Sequence, residues 1–600
     1  MATVKSELQP RALSSKFEAL EETPEAFNLG SPGETGQPIN LTVAARIRRL
    51  FNFLLRVWIE QDRLRSLSVV ALCLWLFATA AVMAWIGPLP QAQFGHDSGG
   101  LLDGAWRVWS GQIPHVDFFT SLGPLTYMVF TAGLVWGNLS PAGIGPVMAL
   151  CGLVLGTWAY VIARTRLVPL LAAFFAAFVA LLGTAPYALG FQPWLPTYAM
   201  FYNRLSYSLL AIIVVEGFAH PFVKQQTRAQ CLIGGFSSGI AIGILFFLKI
   251  SYFGIGLGIL AASFAVAIRN RERFAGIAAG AAVVFLPMFA YLRFDVGAVL
   301  SDLAATAKGR SSGVLVRQFR LLFDAEIPSV LAITALLAAE LSHSSERSRA
   351  AVRCLIMTVV ILGADLAVCA TNQQAPCFPM TAVVALLLVN EATLYARQLG
   401  APALRSSALL LSAVIGWGII HSASYFANDT AGLMIAAGMA AERGHLEDAT
   451  AIDAPHLRSL LFLPEDSALR LANGRFYTNR VNDGLALIKK HSGSRDSVVV
   501  LGFTNPFSYA LLRPPARGGS PFWGMNNNYS DQSIPDSGKL IGNAAVVMIP
   551  KDTGLYRESA APLLEQECKP VLDKNFRLAG ETNIWRMYVR TSTSRGISTQ

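Results

Sequence analysis

The sequence predicts a polytopic α-helical membrane protein of about 11 to 13 spans with a soluble α/β domain at its C-terminal end. Three observations predict it. Hydrophobic residues make up 53% of the chain and charged residues 14%, where soluble domains average about 25% charged. Apolar runs of crossing length succeed one another from residue 67 to 426, each close to the roughly 20 residues that a bilayer demands. After residue 427 the chain turns polar, and strand-like runs alternate with helix-like ones.

Taken in order, residues 1–40 are rich in Glu, Pro, Ser and Gly and lack periodicity, the composition of a disordered tail. Residues 41–66 alternate Arg with apolar residues at helical spacing, which predicts an amphipathic helix on the membrane surface. The apolar runs follow at 67–86, 123–138, 142–163, 167–185, 205–219, 231–248, 252–268, 274–292, 327–341, 351–370, 376–395 and 406–426. Basic clusters at 269–273, 343–353 and 396–405 place those loops in the cytoplasm by the positive-inside bias. Alternation then puts 186–204, 293–326, 371–375 and everything after 427 outside. Run backwards, it conflicts with the first span by one crossing. The conflict is resolved if the 123–138 run does not cross, or if one span is merged or missed. In the terminal region, strands are expected at 497–503, 545–550 and 584–589, with a helix near 553–568.

The formal charge of +10 is spread in short clusters between apolar runs, so it signals membrane orientation and no nucleic-acid partner. The seven cysteines show no CxxC or Cys/His zinc spacing. The terminal region carries neither GxGxxG after a strand nor GxxxxGK[ST].

The first outer loop, 87–122, is the chemically richest stretch. Residues 95–124 read GHDSGGLLDGAWRVWSGQIPHVDFFTSLGP. A polar, acidic, aromatic segment at a membrane is costly unless something binds there. Asp97 is placed to act as a general base on an acceptor hydroxyl, or to cap the helix expected at 99–110. Asp117, between His115 and aromatics, is the second candidate acid. Asp103 falls on the expected helix and reads as a solvated face residue. His96 and His115 flank the acids as substrate-binding candidates. Their spacing matches no metal motif, so no metal or other cofactor is expected. In the 293–326 loop, Lys308, Arg310, Arg317 and Arg320 run against the positive-inside expectation. A phosphate donor would explain them, because Lys and Arg fix phosphate oxygens by charge-assisted hydrogen bonds; a solvated amphipathic helix is the other reading. Lys249 at the end of one span and Arg204 near the start of another are further binding candidates, with snorkelling to the interface as the rival reading. Glu216 and Asp365 lie inside apolar runs and are expected to pair with basic groups in the bundle.

One span, an outer loop with an Asp, then Gly111-Gln112-Ile113-Pro114, Asp117-Phe118 and Gly123-Pro124 form a pattern that resembles the GT-C superfamily of membrane glycosyltransferases. By layout the resemblance covers residues 67–426, and by motif 95–124. It implies an inverting transfer of a sugar from a polyprenyl phosphate to an envelope glycan, lipid or protein acceptor at the outer face of the cytoplasmic membrane. It also implies that Asp97 is the base, that Asp117 is a second acid, and that the outer-loop cations hold the donor phosphate. The pattern departs from the family in having no paired acid at Asp97 and no Lys-Pro-Pro at Gly123-Pro124. That leaves the base open between Asp97 and Asp117 and disfavours a metal. The competing expectation is a transporter or flippase of a lipid-linked glycan.

Overall fold

The computed structural model describes residues 64–219, 227–266, 271–309, 326–343, 347–372, 377–399, 401–446, 448–464, 474–531, 533–551 and 561–591. The N-terminal tail, nearly all of the expected amphipathic segment, and Arg310, Arg317 and Arg320 lie outside the described residues.

The helices run α1 (Arg65–Ile86), α2 (Gly95–Trp109), α3 (Pro124–Trp136), α4 (Ile144–Ala163), α5 (Pro169–Thr184), α6 (Phe201–Phe218) and α7 (Arg228–Leu248). They continue with α8 (Ile250–Val266), α9 (Arg271–Tyr291), α10 (Val296–Gly309), α11 (Glu326–Ser342), α12 (Ser348–Asn372), α13 (Pro379–Gln398) and α14 (Ala401–Ala441). Each of the twelve apolar runs falls on one of these helices; the two remaining, α2 and α10, are the polar ones outside the bundle. Seven described helices are long and apolar enough to cross a membrane, and α3, α5 and α8 are shorter apolar ones. Backbone groups in hydrocarbon must be satisfied within the segment, which only a helix does here. Large apolar side chains such as Leu74, Phe77, Phe274, Leu286 and Leu409 face outward, as they do where the surroundings are lipid.

The span by which alternation failed is α3. Its first residue follows Gly123, whose amide donates to Leu248 O at the end of α7 (3.1 Å). Past its other end, Leu139 O accepts from the Tyr509 hydroxyl of the terminal region (2.7 Å). A Cβ on Gly87, just past the end of α1, would lie 3.8 Å from Ala142 O. Both ends of α3 therefore sit at the same face of the bundle. Its 13 residues reach about 20 Å at 1.5 Å per residue, short of the roughly 30 Å apolar layer. With α3 lying along that face, alternation over the other eleven apolar runs is consistent with Ile86 and the terminal region sharing one side, where Gln91 N donates to Leu461 O (2.7 Å).

The last helix does not stop near 426; α14 runs 41 residues to Ala441, so it projects beyond the bundle. There Arg443 donates to Ile86 O (2.7 Å) and Pro88 O (2.6 Å). Near the end of α6, Glu216 is buried and accepts from Arg273 (2.7 Å), Arg166 (3.1 Å) and Ser238 (2.9 Å), as a buried charge requires. Asp365 is fully buried but forms no salt bridge with a basic side chain among the described residues.

The terminal region holds a two-stranded pair, β1 (Thr450–Ala451) and β2 (Leu461–Phe462), then α15 (Gly474–His491), β3 (Val498–Val500), α16 (Ser537–Ile541), β4 (Val546–Pro550), α17 (Ala561–Asn575), β5 (Phe576–Glu581) and β6 (Trp585–Arg590). Four strands form one sheet in the order β3-β4-β6-β5. β3 and β4 are parallel, and β6 pairs antiparallel with β4 and β5. Three strands match the expected ones; β5 is additional. The region is not a detachable cap. Phe119 of the first loop enters its core and stacks on Trp523 at 5.0 Å and 15°.

Candidate functional site

Helix α2 is buried almost all round, because its glycines let aromatic rings approach from both sides. A Cβ on Gly104 would come within 2.2 Å of the Tyr127 ring from α3. Cβ atoms on Gly95, Gly99 and Gly100 would strike Phe462, Tyr477 and Phe522 of the terminal region. Asp103 is no solvated residue: it is fully buried and pairs with Arg107 at 2.8 Å. Burial pushes its carboxyl up, against the pull of Arg107. Arg107 also donates to Ala516 O (2.9 Å) and Gly518 O (2.9 Å), and Gln112 to Pro515 O (2.9 Å). Trp106 Nε1 donates to Arg513 O (2.7 Å). The first loop thus clamps residues 513–518.

Beyond α2 the backbone turns sharply. His115 is a non-glycine residue at φ +69°, a conformation that costs on the order of 1 kcal/mol unless the surroundings fix it. They do so here. His115 N donates to Phe118 O (3.0 Å), Asp117 N to Ile113 O (2.8 Å), and Ile113 N to Asp117 Oδ2 (2.8 Å). Gly518 N donates to Asp117 O (2.7 Å), and Phe119 N to Gly519 O (3.0 Å).

This turn forms one wall of a cleft of about 940 Å3. Its lining includes His115, Asp117 and, from α10, Asp302, together with Arg517, Lys539 and Arg590 of the terminal region. His115 Nδ1 lies 3.1 Å from Asp302 Oδ2, and both side chains are buried. Thr120 N donates to the same oxygen (3.1 Å). Asp117 Oδ1 lies 3.8 Å from Arg517 Nε, and Lys539 Nζ lies 3.4 Å from Ser301 Oγ. Arg590 donates to Ala544 O (3.0 Å) and stacks over Phe576. Burial holds its guanidinium below the usual range. Acids that accept from hydroxyls and cations that hold anions thus line one cleft, with Asp117 and Arg517 close enough to pair.

The two predicted acids do not meet. Asp97 sits in the first turn of α2, twelve residues before Trp109, about 18 Å away at 1.5 Å per residue, and is not among the lining residues of the cleft. It does not cap the helix: Phe94 is the cap residue, and no side chain bonds there. His96 Nε2 lies 3.4 Å from Asp97 Oδ1. Arg204 is paired with Asp429 (3.0 Å) and stacks over Tyr187 at 4.0 Å. Lys249 donates to Asn203 Oδ1 (3.2 Å) and lies 4.7 Å from the Tyr202 ring. Neither lines the cleft. Lys308 is exposed on α10. The residues that sequence reasoning missed are Asp302, Arg517, Lys539 and Arg590. Asp302 lay in the loop singled out for its cations, and the other three lie in the terminal α/β region, where no site residue was expected.

No family model matches the chain, and no curated protein matches it. Solved structures do. The chain is similar to ArnT from Cupriavidus metallidurans in the apo state, at 12% identity and a TM-score of 0.38, over 88% of this chain and 98% of that one. It is similar to the same protein bound to undecaprenyl phosphate at 13% identity and a TM-score of 0.41, over 87% and 98%. It is also similar to the archaeal oligosaccharyltransferase AglB from Archaeoglobus fulgidus in complex with an inhibitory peptide and a dolichol-phosphate. There the identity is 12% and the TM-score 0.32, over 88% of this chain and 75% of that one.

Proposed function

We propose that the chain is an inverting glycosyltransferase. It moves a hexosyl or pentosyl unit from a polyprenyl-phosphate donor to a hydroxyl of an envelope glycan, lipid or protein at the outer face of the cytoplasmic membrane. The observation that carries this reading is the cleft at the ends of the membrane helices, whose lining brings Asp117 and Asp302 together with Arg517 and Lys539. A sugar needs oxygen acceptors, a phosphate needs cations, and a polyprenyl tail needs adjoining apolar surface. Inversion is a single displacement. The acceptor oxygen attacks the anomeric carbon, a carboxylate takes its proton, and the lipid phosphate leaves with the electron pair of the broken bond. Presence in the cleft supports Asp117 as that carboxylate, and Asp97 is the alternative. Orientation is supported by Arg164, Arg271, Arg349 and Arg405, which gather at the helix ends opposite the cleft.

The test is donor turnover by the purified protein in nanodiscs, with a panel of polyprenyl-phosphate sugars and mixed acceptors. Wild type is expected to consume one donor. Asp117→Asn, which keeps an oxygen for the Ile113 amide, is expected to lower turnover by about 100-fold or more. Asp97→Asn is expected to stay within about tenfold. The reverse pattern moves the base to Asp97. Full turnover in both variants rejects the carboxylate mechanism.

A further inference from the structure

Asp117 sits inside a turn whose shape does not hold itself. Two residues before it, His115 is in the left-handed region at φ +69°, which a non-glycine residue keeps only where its surroundings over-determine it. Two distant elements supply those surroundings. From the terminal region, Gly518 N donates to Asp117 O (2.7 Å), and Gly519 O accepts from Phe119 N (3.0 Å). From α10 comes Asp302. Its Oδ2 lies 3.1 Å from His115 Nδ1 and accepts from Thr120 N (3.1 Å). One oxygen is therefore shared by residues that precede and follow Asp117. A carboxylate accepts and does not donate, so Nδ1 carries the hydrogen of the first contact. Both side chains of that contact are buried. Helix α10 is itself seated on the terminal region: Ser301 Oγ lies 3.4 Å from Lys539 Nζ, and a Cβ on Gly309 would come within 2.6 Å of Tyr529 N. At Asp117 the result is a carboxylate with its two oxygens told apart. Oδ2 accepts from the Ile113 amide (2.8 Å), and Oδ1 is the oxygen near Arg517 (3.8 Å).

We infer that Asp302 is a positioning residue for Asp117: by accepting from His115 and Thr120 it fixes the turn, and with it the oxygen that Asp117 presents to the acceptor hydroxyl. The inference rests on the transferase reading with Asp117 as the base. Asp302 takes no proton in the reaction; it acts through the turn. Positioning is steep in distance, a shift of about 1 Å costing on the order of 100-fold in rate, so the effect of losing Asp302 lies in kcat and not in KM.

The test pairs donor turnover with a labelling readout that needs no turnover, both on the full chain in nanodiscs. Asp302→Ala removes the shared acceptor. Asp302→Asn keeps one oxygen for His115 and Thr120 but cannot take a proton. Asp302→Ala is expected to lower kcat by about 100-fold or more, with KM within about threefold. Asp302→Asn is expected to recover about tenfold of that loss. In a background without the native cysteines, Val116→Cys, half-buried in the turn, reports opening of the turn. Its reaction with a maleimide is expected to quicken by about tenfold or more in Asp302→Ala and by less than about threefold in Asp302→Asn. A loss in Asp302→Asn as deep as that in Asp117→Asn overturns the inference, because Asp302 would then act as a proton acceptor or a charge; this comparison holds even if Asp302→Ala does not fold. Unchanged kcat in Asp302→Ala overturns it too, as does a rise in KM alone, which marks a residue that binds substrate. Equal labelling in wild type and both variants removes the hold on the turn. If wild type consumes no donor while labelling follows the expected order, the transferase reading fails and Asp302 keeps its hold on the turn.

Discussion

At the scale of single residues, Asp103 shows what buried charge does in the first loop. It and Arg107 are both fully buried, 2.8 Å apart. Removing one partner of such a pair leaves an uncompensated charge and costs about 3–5 kcal/mol. Asp103→Asn is therefore expected to lower the apparent melting temperature of the whole chain, followed by tryptophan fluorescence. The double variant Asp103→Leu/Arg107→Met is not expected to recover it. Arg107 also satisfies the carbonyls of Ala516 and Gly518, and a buried acceptor left without a donor costs about 1–3 kcal/mol. Full recovery would show that only the pair matters. Helical spacing placed Asp103 on an exposed face because it says nothing about a region 400 residues later folding over that face. Asp302 was hidden for a related reason: one acid among several cations has no local pattern, and its meaning comes from His115 across the turn.

At the scale of elements, α7 and α9 pack through glycines at near-backbone contact. A Cβ on Gly235 would lie 2.0 Å from Arg273 O, on Gly239 2.1 Å from Ile277 O, on Gly276 2.3 Å from Leu232 O, and on Gly280 2.1 Å from Phe236 O. Small residues at fourfold spacing allow this approach between membrane helices. Helix α9 leads within a few residues into α10, which carries Asp302. Gly239→Ala is therefore expected to lower both the apparent melting temperature and donor turnover. Gly258→Ala on α8, where a Cβ meets open space, is expected to change neither. Equal behaviour of the two variants would reject the glycine contact. The spanning helices were legible because long apolar runs have one solution in a bilayer. β5 was not: its six residues, Phe576 to Glu581, mix Arg, Gly and Glu, and pairing with β6 decides their form. The extension of α14 past 426 was missed because the apolar pattern fades there while the helix itself continues.

At the scale of the whole molecule, the sides on which loops lie decide whether the site can exist. The first loop, the 137–143 turn, α10 and the terminal region must share one face for Asp117, Asp302 and Arg517 to meet. Hydropathy alone made a crossing of α3, since the run is apolar enough, and parity then failed by one. Length and end contacts remove that crossing. In a background without the native cysteines, Ser110→Cys on the first loop and Asn138→Cys past α3, both exposed, are expected to react with an impermeant maleimide from the same side of sealed vesicles. Arg271→Cys, exposed at the start of α9, is expected to react from the opposite side. If Asn138→Cys instead reacts with Arg271→Cys, then α3 crosses and the number of crossings becomes twelve. An even number would return the terminal region to the side of Arg65. It could not then cover the loop that the end of α1 delivers, and Phe119 could not reach Trp523. The topology and the cleft therefore stand or fall together.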